Sequence, residues 1–157
     1  MEPKGRIESF YKAFSVRDAN GMVACYHPEV VFRDPVFLEL DAPRAKAMWR
    51  MLCERGKDLK IEASGIEASG DTGKAHWEAW YTFSATGRKV HNVIDAQFRF
   101  KDGLIVRHDD TFGFWRWTRM ALGPAGVVLG WSPPIQGKIR KLAAKGLAEF
   151  MATSPKA

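Results

Sequence analysis

Two cysteines in 157 residues, Cys25 and Cys53, are too few for a disulfide framework or a zinc-ligand cluster, so a reducing, cytoplasmic setting is expected. Long apolar runs are also missing. The weakly polar stretch from Ala121 to Ile135 is broken by Gly123, Pro124, Gly126, Gly130, Pro133 and Pro134, well short of the roughly 20 apolar residues that a membrane span needs. The opening Met1-Glu2-Pro3-Lys4-Gly5-Arg6 leads into an amphipathic segment without an apolar signal core, and secretion is not expected. No nicotinamide, flavin or phosphate-loop motif occurs, so any chemistry is expected to run without a cofactor.

What is present is 46% hydrophobic, 12% aromatic and 27% charged residues, the composition of one folded domain with a core. The net charge of +6 would suit a polyanion if it were spread out. Instead Lys138, Arg140, Lys141 and Lys145 crowd the last quarter, which describes a basic terminal helix and argues against a nucleic-acid partner. Such helices also bind anionic membrane surfaces, but a helix packed on its own domain is the expectation.

Ile7, Phe10, Tyr11 and Phe14 recur at helical spacing and predict a helix from about Arg6 to Val16. Asp18 can cap a second, short helix carrying Met22, Val23 and Tyr26, which must end before Pro28. Val30 to Arg33 reads as a strand that Asp34-Pro35 breaks before an extended piece, Val36 to Leu40. Asp41 caps a third helix with Ala45, Met48, Trp49 and Leu52 on its apolar face, ended by Gly56. The period then becomes alternating: Leu59 to Ala68, Lys74 to Ser84, Val90 to Phe100 and Leu104 to Phe112 are strands joined by Gly-containing turns, hence antiparallel neighbours. A helix from Phe114 to Leu122, a Gly/Pro linker and a last helix with Ile135, Ile139, Leu142, Leu147 and Phe150 complete the chain.

Helices followed by a meander predict an α+β fold: a curved antiparallel sheet wrapped around the N-terminal helices and closed into a cone with a pocket. Residues 1–120 would form this domain, and 121–157 the linker and basic helix packed on it.

The hairpin around Lys101-Asp102-Gly103 locates the polar exceptions. With those three residues as the loop, Phe98 faces Val106, Ala96 faces His108 and Ile94 faces Asp110, and apolar residues separate cleanly from polar ones. A two-residue Asp102-Gly103 turn would set Phe98 against Arg107 and mix the faces. His108 and Asp110 therefore share an apolar face, about 7 Å apart along one strand. A carboxylate and an imidazole in an apolar cavity can exchange protons with a bound molecule; they can equally satisfy each other.

Asp18-Ala19-Asn20-Gly21-Met22-Val23 and Val30-Val31-Phe32-Arg33-Asp34-Pro35-Val36, with Phe98-Arg99-Phe100-Lys101-Asp102-Gly103-Leu104-Ile105-Val106-Arg107-His108-Asp109-Asp110, resemble the nuclear transport factor two-like superfamily, in particular its ketosteroid isomerase and SnoaL-like polyketide cyclase branch. The resemblance covers about Arg6 to Trp117 and implies the cone fold. It makes Asp34 the match of the isomerases' proton-shuttling base, puts Phe10 at their oxyanion-hole tyrosine, and leaves Asp95 or Ala96 at their protonated aspartic acid. Tyr11, next to Phe10, would point about a third of a turn away. Similarity to limonene-epoxide hydrolases matches Asp110 to a catalytic aspartate and Phe32 and Asp34 to a water-positioning pair, with no counterpart for the arginine. SnoaL-like cyclases imply an acid/base at Asp110 or Asp109.

Asp34, Asp110 and His108 are the catalytic candidates. A small hydrophobic ligand would sit against Phe10, Phe14, Phe32 and Trp49 from the first half and Asn92, Ile94, Ala96 and Phe112 from the last strands. The expected function is binding of such a molecule, with cofactor-free proton transfer or water addition; the alternative is a non-catalytic ligand-binding or interaction protein of the same fold. His91 shares the polar face with Asp95 and Gln97, and His76 with Glu78 lacks a third metal ligand, so no metal site is expected. Trp77, Trp80, Tyr81 and Phe83 make one strand apolar on both faces, which suggests a homodimer through the sheet's outer side. Trp115, Trp117, Leu122, Val127, Val128, Leu129 and Trp131 could cap the pocket mouth.

Overall fold

The computed structural model describes residues 1–153. Helices α1 (Pro3–Ser15), α2 (Ala19–Val23) and α3 (Ala42–Arg55) alternate with strand β1 (Tyr26–Arg33); strands β2 (Lys60–Ser69), β3 (Thr72–Phe83), β4 (Arg88–Lys101) and β5 (Leu104–Thr111) follow, then helices α4 (Phe114–Leu122), α5 (Pro124–Leu129) and α6 (Pro133–Thr153). The apolar stripe of α1 is buried as its spacing predicts, at Ile7, Phe10, Tyr11 and Phe14. Arg17 takes the left-handed conformation that ends α1, and the Asp18 side chain accepts the Gly21 N–H to start α2. Asp41 caps α3 in the same way through the Arg44 N–H, and Gly56 closes it.

The five strands form one curved sheet in the order β1-β5-β4-β3-β2, and α1 and α3 fill its concave side with a cluster built on Phe10, Phe14, Trp49, Trp77 and Phe98. Two expectations need correction. The sheet is mixed, because β1 runs parallel to β5, and it is open, because β1 and β2 remain edges instead of closing a cone. A parallel pair needs a long crossover, and the excursion through α3 and β2 to β4 supplies it. Tyr26 begins β1 instead of ending the second helix. Pro28 is no obstacle, since an edge strand has one side on which a missing N–H costs no ladder bond.

The β4–β5 turn is also tighter than expected. Asp102 and Gly103 both have positive φ, so the loop is the two-residue turn, pairing Lys101 with Leu104 and Phe100 with Ile105. An irregularity at the next step then pairs Arg99 with Arg107 and Phe98 with His108, skipping Val106. That bulge restores the parity the short turn would have lost. His108 and Asp110 consequently face inward as the patterning requires, opposite Phe98 and Ala96 and not Ala96 and Ile94.

The linker is itself helical. Pro124 and Pro133 occupy first helical turns, where a missing N–H is harmless, so α5 and α6 follow α4 almost without interruption. A second cluster of Val90, Phe114, Trp117 and Ala121 packs α4 on the sheet, with Ile139 of α6 against it, while Leu147 and Phe150 seat the end of α6. Trp117 and Leu122 pack inward, but Trp115, Val127, Val128, Leu129 and Trp131 are exposed and cap no pocket.

The α4–α5 approach depends on Gly126, whose added Cβ would overlap the Thr118 carbonyl. Gly126→Ala is expected to lower stability in urea denaturation by about 1–3 kcal/mol. Gly137→Ala, in α6 with nothing within 4 Å of the new methyl, is expected to be neutral or slightly stabilising.

Candidate functional site

The parallel register matches Phe32 with His108 and Arg33 with Asp109. Asp34 follows directly on β1, near enough to Asp110 of β5 for the two carboxyl charges to act on each other. Two carboxyl groups distant in sequence thus converge at the end of the β1–β5 pair, next to α3.

Below them a polar chain crosses the aromatic core. The Trp49 indole N–H donates to the Tyr26 hydroxyl at 2.7 Å, and that hydroxyl is 2.8 Å from His108 Nδ1. Trp49 can only donate, so with a neutral His108 the Tyr26 hydroxyl gives its own proton to Nδ1, and His108 donates from Nε2 to Asp110 Oδ1 at 2.9 Å. The Trp77 indole N–H donates to the same oxygen at 3.4 Å. Asp110 Oδ2 accepts no hydrogen bond among the described residues.

His108 is completely enclosed. Its ring stacks on Trp49 and meets the edges of Phe10 and Phe32 at centroid distances of 5.4 and 5.0 Å. It holds Asp110 and has no open side of its own. Of the expected ligand contacts, Phe10, Phe14, Phe32, Trp49, Ile94 and Ala96 are buried and pack around the polar chain, Asn92 lies on the same inward face, and Phe112 is half-buried where the two apolar clusters meet. Clefts of about 800 and 360 Å³ lie instead along the sheet's outer side, one lined by Lys74, Gln97, Arg99 and Arg107, the other by Trp80, Lys89 and His91.

Asp34 is the partly open member of the group. It sits at the neck of a loop closed by the Phe32–Leu40 bridge, and its Oδ1 accepts the N–H groups of Val36 at 2.8 Å and Phe37 at 2.6 Å. Burial pushes its pKa up to about 7; the Phe37 N–H opposes this, the Asp110 carboxylate adds to it, and the Val36 N–H and the His108 imidazole pull it down.

Two tyrosines join the site that the sequence reading had not placed there. The helical spacing after Asp18 points Tyr26 to α2, whereas its alternation with Val30 and Phe32 is the strand signal that the fold follows. Tyr11 does turn inward, and its hydroxyl is buried without a hydrogen-bond partner. Burial, then the charge of Asp110, raises the Tyr11 pKa well above its ordinary value, so it remains a proton donor. On the outer face His91 bonds Glu78 at 2.7 Å and stacks on Trp80, and His76 bridges Glu78 and Asp95. Among the described residues no group of three or more His, Cys, Asp or Glu is arranged to hold a metal ion.

A carboxyl with a raised native pKa binds a proton that the unfolded chain has already lost between 3.8 and about 7, so its contribution favours folding below that window and fades across it. Asp34→Asn is therefore expected to gain stability relative to the parent as pH rises from about 4 to about 8, by on the order of 3 kcal/mol in urea denaturation. A pH-independent difference would contradict this.

Residues 7–108 match the SnoaL-like domain family. No curated protein matches the sequence. Among solved structures, the chain is similar to IdmH, a candidate polyketide cyclase from Streptomyces antibioticus, at 20% identity and TM-score 0.63 over 74% of this chain and 96% of that one. It is similar to an epoxide hydrolase of M. tuberculosis resembling the LEH type, at 17% identity and TM-score 0.58 over 83% and 92%. An NTF2-like protein of Burkholderia pseudomallei shares 20% identity at TM-score 0.62 over 72% and 92%. At these identities the likeness is one of fold. With the match covering residues 7–108, which take in most of the sheet and of the N-terminal helices, the chain belongs to the SnoaL-like domain family.

Proposed function

We propose that the protein binds a small hydrophobic molecule at the Asp34 end of the β1–β5 pair and moves a proton on it without a cofactor, as an isomerase, cyclase or hydrolase does. The observation that carries this is a partly open carboxyl with a pKa near 7, set beside a second carboxyl whose position is fixed from behind. A group poised near neutrality is both a competent base and a competent acid. Asp34 abstracts or returns the proton. Asp110, oriented by His108 and Trp77, offers Oδ2 as the second acid/base. His108 acts as a positioning residue, since its ring is sealed from any ligand.

One observation favours a non-catalytic binder: the position that the resemblance matches to the isomerases' tyrosine holds Phe10, which has no hydroxyl and is packed among Tyr26, Trp49 and His108.

Carboxyl-carbon NMR titration of the whole protein tests the catalytic case. An inflection near 7 assigned to Asp34, moved downward in Asp110→Asn because a like charge is gone, is the expected result. An inflection at the ordinary aspartate value would remove Asp34 as base and leave the binder. Native mass spectrometry should then show a retained apolar molecule in the parent protein that Asp34→Leu loses.

A further inference from the structure

The charge of the chain is divided with unusual sharpness. Residues 1–110 carry 17 Lys or Arg and 17 Asp or Glu, whereas residues 111–148 carry six Lys or Arg and no acid. That second stretch also holds the densest exposed apolar surface: Val128 is 64% exposed, Trp131 62%, Val127 49%, Leu129 47% and Trp115 42%.

The polar groups beneath these side chains are already paired. A helix end normally leaves its last carbonyls for water. At α5 the Trp115 indole N–H donates to Val127 O, the Trp131 indole N–H to Val128 O, Ser132 Oγ to Leu129 O and Gln136 Nε2 to Gly130 O. Both indoles have thus spent their only donor inward, and the tip presents apolar atoms over a satisfied backbone. Water gains little at such a surface, and a medium without hydrogen-bonding groups loses nothing there.

Cations lie on the two helices that adjoin the tip. The Arg119 guanidinium lies 4.4 Å over the Trp115 ring. Lys138, Lys141 and Lys145 are exposed at helical spacing on α6, on the side opposite Leu147 and Phe150, and none of the three meets a carboxylate among the described residues. Arg116 and Arg140 are occupied by the carbonyls of His91 and Pro35.

We propose that this end of the molecule docks on an anionic lipid surface, with Val127, Val128, Leu129 and Trp131 in the interfacial layer and Arg119, Lys138, Lys141 and Lys145 at the headgroup phosphates. Apolar and aromatic side chains beside lysines, with a single acid, Glu149, one turn beyond the last of them, are what such a surface selects. A nucleic acid gives no return for the exposed aliphatic side chains of Val127, Val128 and Leu129. The proposal is independent of the chemistry at Asp34.

Co-sedimentation of the full chain with vesicles tests it. Binding is expected to vesicles of phosphatidylcholine containing about a third phosphatidylglycerol, to be lost with phosphatidylcholine alone, and to weaken as salt rises. Trp emission should shift to the blue on binding, a reading that needs no variant. Val128→Ser with Trp131→Ser is expected to weaken binding at least about tenfold. Lys138→Gln, Lys141→Gln and Lys145→Gln together should weaken it by roughly 100-fold, at about fivefold per lysine. All five side chains are exposed, and far-UV circular dichroism confirms that each variant keeps the fold. Failure of the parent to sediment with anionic vesicles overturns the proposal. So does binding that the serine variant leaves unchanged, which would be charge attraction that any polyanion satisfies. A lipid-free dimer that the serine variant dissolves also overturns it, by giving the patch to a second copy.

Discussion

The hydrogen-bonded chain from Trp49 through Tyr26 and His108 to Asp110 and Trp77 ties together α3, β1, β5 and β3 in the middle of an aromatic core. Each link has one allowed direction, because an indole can only donate and an ionised carboxylate can only accept. A polar network sealed among rings is tolerable only when every member is satisfied, and here the directions agree from end to end. Loss of one member would strand the next in a medium that solvates nothing. The stacking of rings around His108, the parallel placement of β1 and the inward turn of Asp110 are all consistent with this one requirement.

The fold was legible because period and turn chemistry agree over most of the chain. The stripe in α1, the Asp41 cap of α3 and the alternation in β4 each place the residues they should. The inward placement of His108 and Asp110 was legible from alternation along β4 and the last residues of β5, although the bulge at Val106 turns Ile105, and not Val106, into the core. Their partners were not. A two-residue turn and a bulge at Val106 offset each other, and face patterning is blind to a shift of two.

What the sequence could not show was the pairing of β1. Parity within one strand says nothing of which strand lies beside it or in which direction it runs, and the approach of Asp34 to Asp110 comes entirely from the Phe32–His108 register. Resemblance to relatives nominated both aspartates, but not the reason the first titrates high, which is the desolvated neck of its own loop. Tyr11 was missed because an ideal helix rotates it away from Phe10, whereas the inner face of α1 is wide enough to bury both.

An unclosed sheet has two borders that could each recruit a stranger. On β1 the border is blunted by Pro28, which removes a backbone donor, and by the exposed Glu29 beside it. On β2 the ladder is interrupted between Ser64 and Glu67, around Gly65 at positive φ, and the strand beyond is charged and exposed. The same residues that look like local irregularities are therefore what makes each border of a half-open β-layer a poor template for a further strand.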